Sequence, residues 1–341
     1  MQDKLSIFYK KYFESNKKKF NYKEFIITIN ILYSIYNNGY EPPNFILKIL
    51  KNDIIKYMKT TIIYYDKDCD RILSFTREPV NIRMNRGYDL EKMSKYFGYK
   101  KSLYNNKSSN IAIFTKTPIK FISKNYKLSN VEMDINVLNV IGVALDCKTQ
   151  YDYIRLYNLK NINNRILEYE NIVRSYFIKI KKCFLDNKFE LLFLSGIGLG
   201  NFSLLCESLK IDHYNIFNKI FNETFEDIIT NNISNKKIVL WNISYKLSII
   251  NNKKINKCDL YLEELFYKIY NNDNYYEFVE NKLNNRVHVS KILFINAYNP
   301  YSIVGNGNNK NNSIDGYFGR ISAMSVLCWP FTNPFIKYIK V

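Results

Sequence analysis

From residue 131 onward, short apolar runs rich in β-branched residues alternate with longer stretches whose apolar positions repeat at helical spacing. That alternation restricts the fold more than any other feature of the chain. The runs 135–141, 191–194, 237–243 and 292–295 read as strands, and 161–186, 214–230 and 259–270 read as helices. Strands separated by helices pair in parallel and bury both sheet faces, so the expected class is α/β, with a mostly parallel or mixed sheet flanked by helices. The loops leaving residues 141, 194, 243 and 295 then gather along the carboxyl edge, where open α/β sheets hold ligands.

The first 125 residues give weaker signals. Residues 1–58 and 88–105 carry apolar positions at helical spacing, and TTIIYY (60–65) and IAIF (111–114) read as strands. The expected organisation is a mainly helical N-terminal portion, 1–125, followed by a second domain, 126–341.

Length and composition limit the function classes. The chain has 341 residues, 47% of them hydrophobic, enough for one large core or two ordinary ones. It has no run of about 18 uncharged apolar residues, and MQDKLSIFYKKYFESNKKKF has no signal-peptide core, so the chain reads as soluble and cytoplasmic, without membrane association. Its six cysteines are scattered without a CxxC pair and suit buried free thiols; no metal and no cofactor is expected. The two histidines, His213 and His288, fall in a polar helix and a strand-like run and suit ordinary structural roles.

The net charge is +19. Lys, Asn, Ile and Tyr share adenine- and thymine-rich codons, which accounts for much of the lysine. Basic residues are spread along the chain rather than concentrated on one element with aromatics between them, so nucleic acid is not the expected partner.

Three segments carry chemistry. In ELLFLSGIGLGNFSLLCESL (190–209) an apolar strand runs into Gly196, Gly198 and Gly200, then Asn201 and Ser203 stand at the start of an expected helix. Strand, glycine loop and helix N-terminus together suit an anion, because unpaired N–H groups and the helix dipole converge there. Asn201 and Phe202 stand where a Walker loop has Lys and Ser or Thr, and no acid ends the next strand as a Rossmann fingerprint requires. A turn between packed elements also explains these glycines.

In VEMDINVLNVIGVALDCKTQYDY (131–153), Asn139, Asp146, Gln150 and Asp152 gather near and beyond a strand end. They suit a ligand edge or an ordinary capped helix.

The third segment, ILFINAYNPYSIVGNGNNKNNSIDGYFGRISAMSVLCWPF (292–331), follows a buried strand with Asn296, Asn299, Gly305, Asn306, Gly307, Asn308, Asn311, Asn312, Asp315, Gly316, Phe318 and Gly319. Glycine permits close approach to the backbone, and neutral amides suit a polyhydroxylated or phosphorylated ligand.

These blocks resemble the macrodomain superfamily, and within it a divergent MavL-like branch of ADP-ribosyl hydrolases related to the poly(ADP-ribose) glycohydrolase fold. The resemblance covers 131–334 and rests on LNVIGVALDCKTQYDY, SGIGLGNFS and NAYNPYSIVGNGNNKNNSIDGYFGR with its trailing CWPFTNP. It implies an ADP-ribose cleft and ADP-ribose or ADP-ribosylated protein as partner. Gly196, Gly198, Gly200 and Asn201 would cradle the diphosphate from one side, and Gly305, Asn306, Gly307 and Asn308 would close over it or the distal ribose from the other. Asn139, Gln150 and Asp152 would lie near the adenosine end, with Asn296 and Phe318 as further ligand contacts. Asp315 would stand nearest the anomeric carbon, although an Asp bonding its own turn explains SIDGY equally. Acids are expected where this chain has Asn299 and Asn311, and an amide there cannot act as a general base. Hydrolysis of ADP-ribosyl groups and binding without turnover are therefore both consistent with the resemblance.

Overall fold

The computed structural model describes residues 60–65, 112–122, 128–140, 142–148, 150–230, 236–243, 254–260, 262–280, 283–297 and 337–341. Ten strands and four α-helices lie within them. The strands are β1 (Ile62–Tyr65), β2 (Ala112–Ile122), β3 (Leu128–Val140), β4 (Leu191–Leu194), β5 (Lys237–Trp241), β6 (Ile255–Cys258), β7 (Tyr275–Glu280), β8 (Leu283–His288), β9 (Ile292–Ala297) and β10 (Lys337–Lys340). The helices are α1 (Tyr151–Tyr157), α2 (Ile162–Asp186), α3 (His213–Thr230) and α4 (Leu262–Asn271).

Eight strands form one mixed sheet in the order β10-β1-β2-β3-β9-β4-β5-β6, and β7 and β8 pair as a separate hairpin. The five strands from β3 to β6 along this order are mutually parallel. Strand β2 runs antiparallel to both β1 and β3, and β10 is parallel to β1. The α/β class with a mixed sheet flanked by helices is thus present. The sheet also crosses the boundary expected near residue 125: β1 and β2 belong to it, and 125 falls in the connection between β2 and β3. The helices expected at 1–58 and 88–105 lie outside the described residues.

Side-chain alternation along the strands divides the core in two. Leu138, Val140, Leu192, Leu194, Leu293 and Ile295 face α2 and α3, where they meet Tyr176, Phe177, Ile180, Phe217 and Phe221. Ile135, Val137, Phe193, Trp241, Ile292 and Phe294 face α4 and the hairpin, and meet Leu265, Phe266 and Phe278. Ring pairs such as Phe193–Phe294 at 4.9 Å and Phe266–Phe294 at 5.1 Å fill this second layer.

Helix α2 begins where Asn161 accepts from the N–H groups of Asn163 and Asn164, an N-cap the sequence supplies directly. Arg165, one turn in, donates to the carbonyls of Leu156, Leu159 and Leu209, tying the end of α1 to the segment before α3. Across the outer surface, Arg174–Glu223, Lys181–Asp227 and Lys219–Glu170 pair α2 with α3.

Cys183, Cys206 and Cys258 are buried free thiols, and Cys147 is half-buried. Burial pushes the Cys206 thiol up to about 12, against a hydrogen bond from Tyr169 that lowers it. Burial likewise raises Cys183 and the hydroxyls of Tyr64 and Tyr276 far above their ordinary values. A group whose folded value is raised stabilises the fold below its unfolded value, and that contribution is lost as pH rises through the folded value. Melting temperature measured by circular dichroism should therefore hold steady up to about pH 9 and fall between pH 9 and 11, the range that opens above the ordinary thiol value. A flat profile to pH 11 would show that these groups are not desolvated.

Candidate functional site at the carboxyl edge

Strand β9 lies between β3 and β4, so the segments leaving β3 and β4 start about 9.5 Å apart, two strand spacings, with the end of β9 between them. They nevertheless touch. A Cβ placed on Gly142 would lie 2.8 Å from the Gly198 nitrogen and 2.9 Å from its Cα. Two backbone bonds fasten the segments further along, from Leu145 N–H to Phe202 O at 2.8 Å and from Leu205 N–H to Leu145 O at 2.9 Å. Gly198 adopts φ +73°, a left-handed conformation that favours glycine.

The loop's hydrogen bonds give it a direction. The carbonyls of Ser195, Gly196 and Asn201 accept from the N–H groups of Ile197, Leu199 and Leu204, and Phe202 O accepts from Leu145. Gly200 O takes both the N–H and the hydroxyl of Ser203, the latter at 2.7 Å. Ile197 O and Leu199 O receive longer contacts from the hydroxyls of Tyr176 and Tyr214, at 3.5 and 3.4 Å. The N–H groups of Gly200, Asn201 and Phe202, by contrast, have no acceptor among the described residues. Three consecutive free amides beside occupied carbonyls present a partial positive charge.

The element that follows differs from the expected α-helix. Asn201–Ser203 and Glu207–Leu209 are single 3-10 turns, and α3 begins only at His213, where Asp212 accepts from Asn215 N–H. Ser203 spends its hydroxyl on Gly200 O and caps nothing. The helix dipole therefore contributes little here, since it requires several aligned turns, and the local amides alone supply the attraction.

On the opposite face of the sheet end, Asn139 and Asn296 stand directly across from one another in β3 and β9. Both are buried, with Asn296 Nδ2 donating to Asn139 Oδ1 at 2.9 Å and Asn139 Nδ2 donating to Ile113 O at 3.3 Å. Asn296 Oδ1 is buried with no donor among the described residues. Ser195 joins this polar end through its hydroxyl, which donates to Ile295 O at 2.9 Å.

Asn139 is accordingly not grouped with Gln150 and Asp152, which stand at the N-cap and in the first turn of α1. Buried Asp152 accepts from Ala144 N–H at 2.9 Å, which anchors the segment leaving β3, and Gln150 donates to Asp146 at 3.1 Å. The sequence pointed to Asp152; Leu145, whose backbone joins the two loops, carried no signal because main-chain bonding is independent of side-chain type.

Asn299, Gly305, Asn306, Gly307, Asn308, Asn311, Asp315 and Phe318 lie outside the described residues. His288 caps a 3-10 turn by accepting from Ser290 N–H, an ordinary structural role. Among the described residues no three metal-ligating side chains come together, and no helix is long and apolar enough to cross a membrane. Comparison with known protein families finds no matching family, and a search of characterised proteins by sequence finds no match either.

Proposed function

We propose that the chain recognises ADP-ribose at the carboxyl edge and hydrolyses ADP-ribosyl groups from modified protein. The observation that carries the reading is the polarity of the glycine loop, in which the amides of Gly200, Asn201 and Phe202 are free while the neighbouring carbonyls are occupied. Such a loop suits the oxygens of a diphosphate. The unpaired Oδ1 of Asn296 suits a donor such as a ribose hydroxyl. The resemblance of SIDGY to its family supplies Asp315 as the carboxylate that stabilises positive charge developing on the ribose or activates water.

Binding without turnover is the second reading. It is favoured by the amides at Asn299 and Asn311, which cannot accept a proton from water.

Gly200 gives the direct test. A Cβ at this position would meet nothing within 4 Å, so the fold itself has room for alanine, whereas a ligand pressed against the loop does not. Calorimetry should show saturable ADP-ribose binding by the wild type and binding at least about tenfold weaker, about 1.4 kcal/mol, in Gly200→Ala, with melting temperature little changed. Equal affinity in the two proteins would remove the loop from the site. Release of ADP-ribose from a modified protein by the wild type, lost in Asp315→Ala, separates hydrolase from reader.

A further inference from the structure

The opposite, amino edge of the parallel sheet gathers lysines that are far apart in the sequence. Lys291 precedes β9, Lys188 lies two residues before Glu190 at the start of β4, Lys236 and Lys237 open β5, and Lys254 precedes β6. Main-chain bonds put these positions side by side: Glu190 N–H to Lys291 O at 2.8 Å, Lys237 N–H to Glu190 O at 2.9 Å, and Ile238 N–H to Lys254 O at 2.9 Å. Five lysines and one acid, Glu190, thus stand on four adjacent strand starts, a strip about 14 Å long at the usual strand spacing. Asp134 on β3 borders the strip beyond Lys291.

The helical layer is different. Apart from Lys188 and Glu190, residues 150–230 carry nine Lys or Arg and nine Asp or Glu, and Arg174, Lys181 and Lys219 pair with acids across α2 and α3. On the strip, Lys188 and Lys291 are exposed and have no ion pair among the described residues. Burial lowers the Lys236 ammonium from its ordinary value; Glu190 opposes this, and nearby Lys291 adds to it, as expected where like charges crowd.

Rings stand beside the charges. Lys236 donates to Phe189 O at 2.6 Å and lies 4.9 Å from the centre of the buried Phe184 ring, and Lys237 lies 4.3 Å from that of the buried Phe278, so these two rings anchor the lysines and are not themselves open to a ligand. Immediately before Lys291, the half-buried rings of His288 and Tyr275 meet at 5.0 Å, and Arg286 lies over Tyr275 at 4.5 Å while pairing with Glu277.

We propose that this amino edge is a binding surface for single-stranded nucleic acid, separate from the carboxyl-edge site. The exposed ammonium groups of Lys188 and Lys291 suit a phosphate backbone, and the half-buried rings of Tyr275 and His288 offer stacking positions that an acidic peptide would not use. The proposal does not depend on ADP-ribose recognition.

The test uses the full chain and a fluorescent twenty-nucleotide oligothymidylate, with affinity measured by anisotropy over a range of salt. Lys188→Gln/Lys291→Gln should weaken binding at least tenfold at low salt and make the salt slope shallower by about 1.4, since each lost phosphate contact on a single strand removes about 0.7. Lys182→Gln/Lys219→Gln, an equal charge change on the helical layer, should have a much smaller effect. Tyr275→Ala should weaken the oligonucleotide while leaving any polyglutamate binding unchanged. Equal effects of the two double variants, or no binding by the wild type at low salt, would overturn the proposal. Polyglutamate competing as well as the oligonucleotide, with Tyr275→Ala neutral, would assign the surface to an acidic protein instead and overturn it too.

Discussion

Gly142→Ala is expected to lower stability by about 3 kcal/mol and to abolish ADP-ribose binding, although it adds one methyl group. The new Cβ would fall within 3 Å of two backbone atoms of Gly198, and a backbone cannot swing aside as the end of a side chain can. Relief requires the loops leaving β3 and β4 to separate. That would break the bonds joining Leu145 to Phe202 and Leu205, which hold the free amides of 200–202 in place. Denaturant unfolding and calorimetry on the same preparation check both effects. A variant as stable as the wild type would mean that the two loops do not meet over β9. Comparison with Gly200→Ala is informative, because one glycine is required by the fold and the other only by a ligand.

Phe177→Ala should be the most costly core truncation, about 4 kcal/mol. Phe177 is fully buried on α2, with ring centres at 4.9 Å from Phe217, 6.0 Å from Phe221 and 5.9 Å from Phe225, so it holds α3 to α2. The cost combines the lost burial with a cavity that three rigid rings cannot collapse into. Leu167, on the same helix but largely exposed, should lose less than about 0.5 kcal/mol on the same change. The midpoint of guanidinium unfolding gives both values. A Phe177→Ala loss under about 1.5 kcal/mol would show that this layer is loosely packed.

The long, strongly periodic elements were legible before any coordinates. The helix expected over 161–186 is Ile162–Asp186, and the strands at 191–194 and 292–295 are β4 and β9. Their patterns are complete within the segment: the helix repeats its apolar positions along one face, and the two strands are short apolar runs buried on both faces of the sheet. Three local features were not legible. Strand β6, INKC, has only two apolar residues, and its pairing is specified by β5 rather than by its own pattern. Hairpin β7–β8, rich in Tyr, Glu and Asn, shows no alternation that separates it from a surface loop. The strand-like run that holds His288 is interrupted by a 3-10 turn at Val289–Lys291 that His288 caps, a side-chain-to-backbone bond that apolar periodicity does not register.

By itself, the sequence determined the α/β class, the parallel strands with their glycine loop, and the placement of Asn139 near a strand end, because binary pattern and turn chemistry act over a few residues; Asn296, expected in the loop, lies within β9. Only the tertiary structure decided strand order. It inserted β9 between β3 and β4, paired Asn139 with Asn296, pressed Gly142 against Gly198, and aligned Lys188, Lys236, Lys237, Lys254 and Lys291 on one edge. Those neighbours are set by which hydrophobic faces can be buried together across the whole sheet, a global condition that no window of the chain contains.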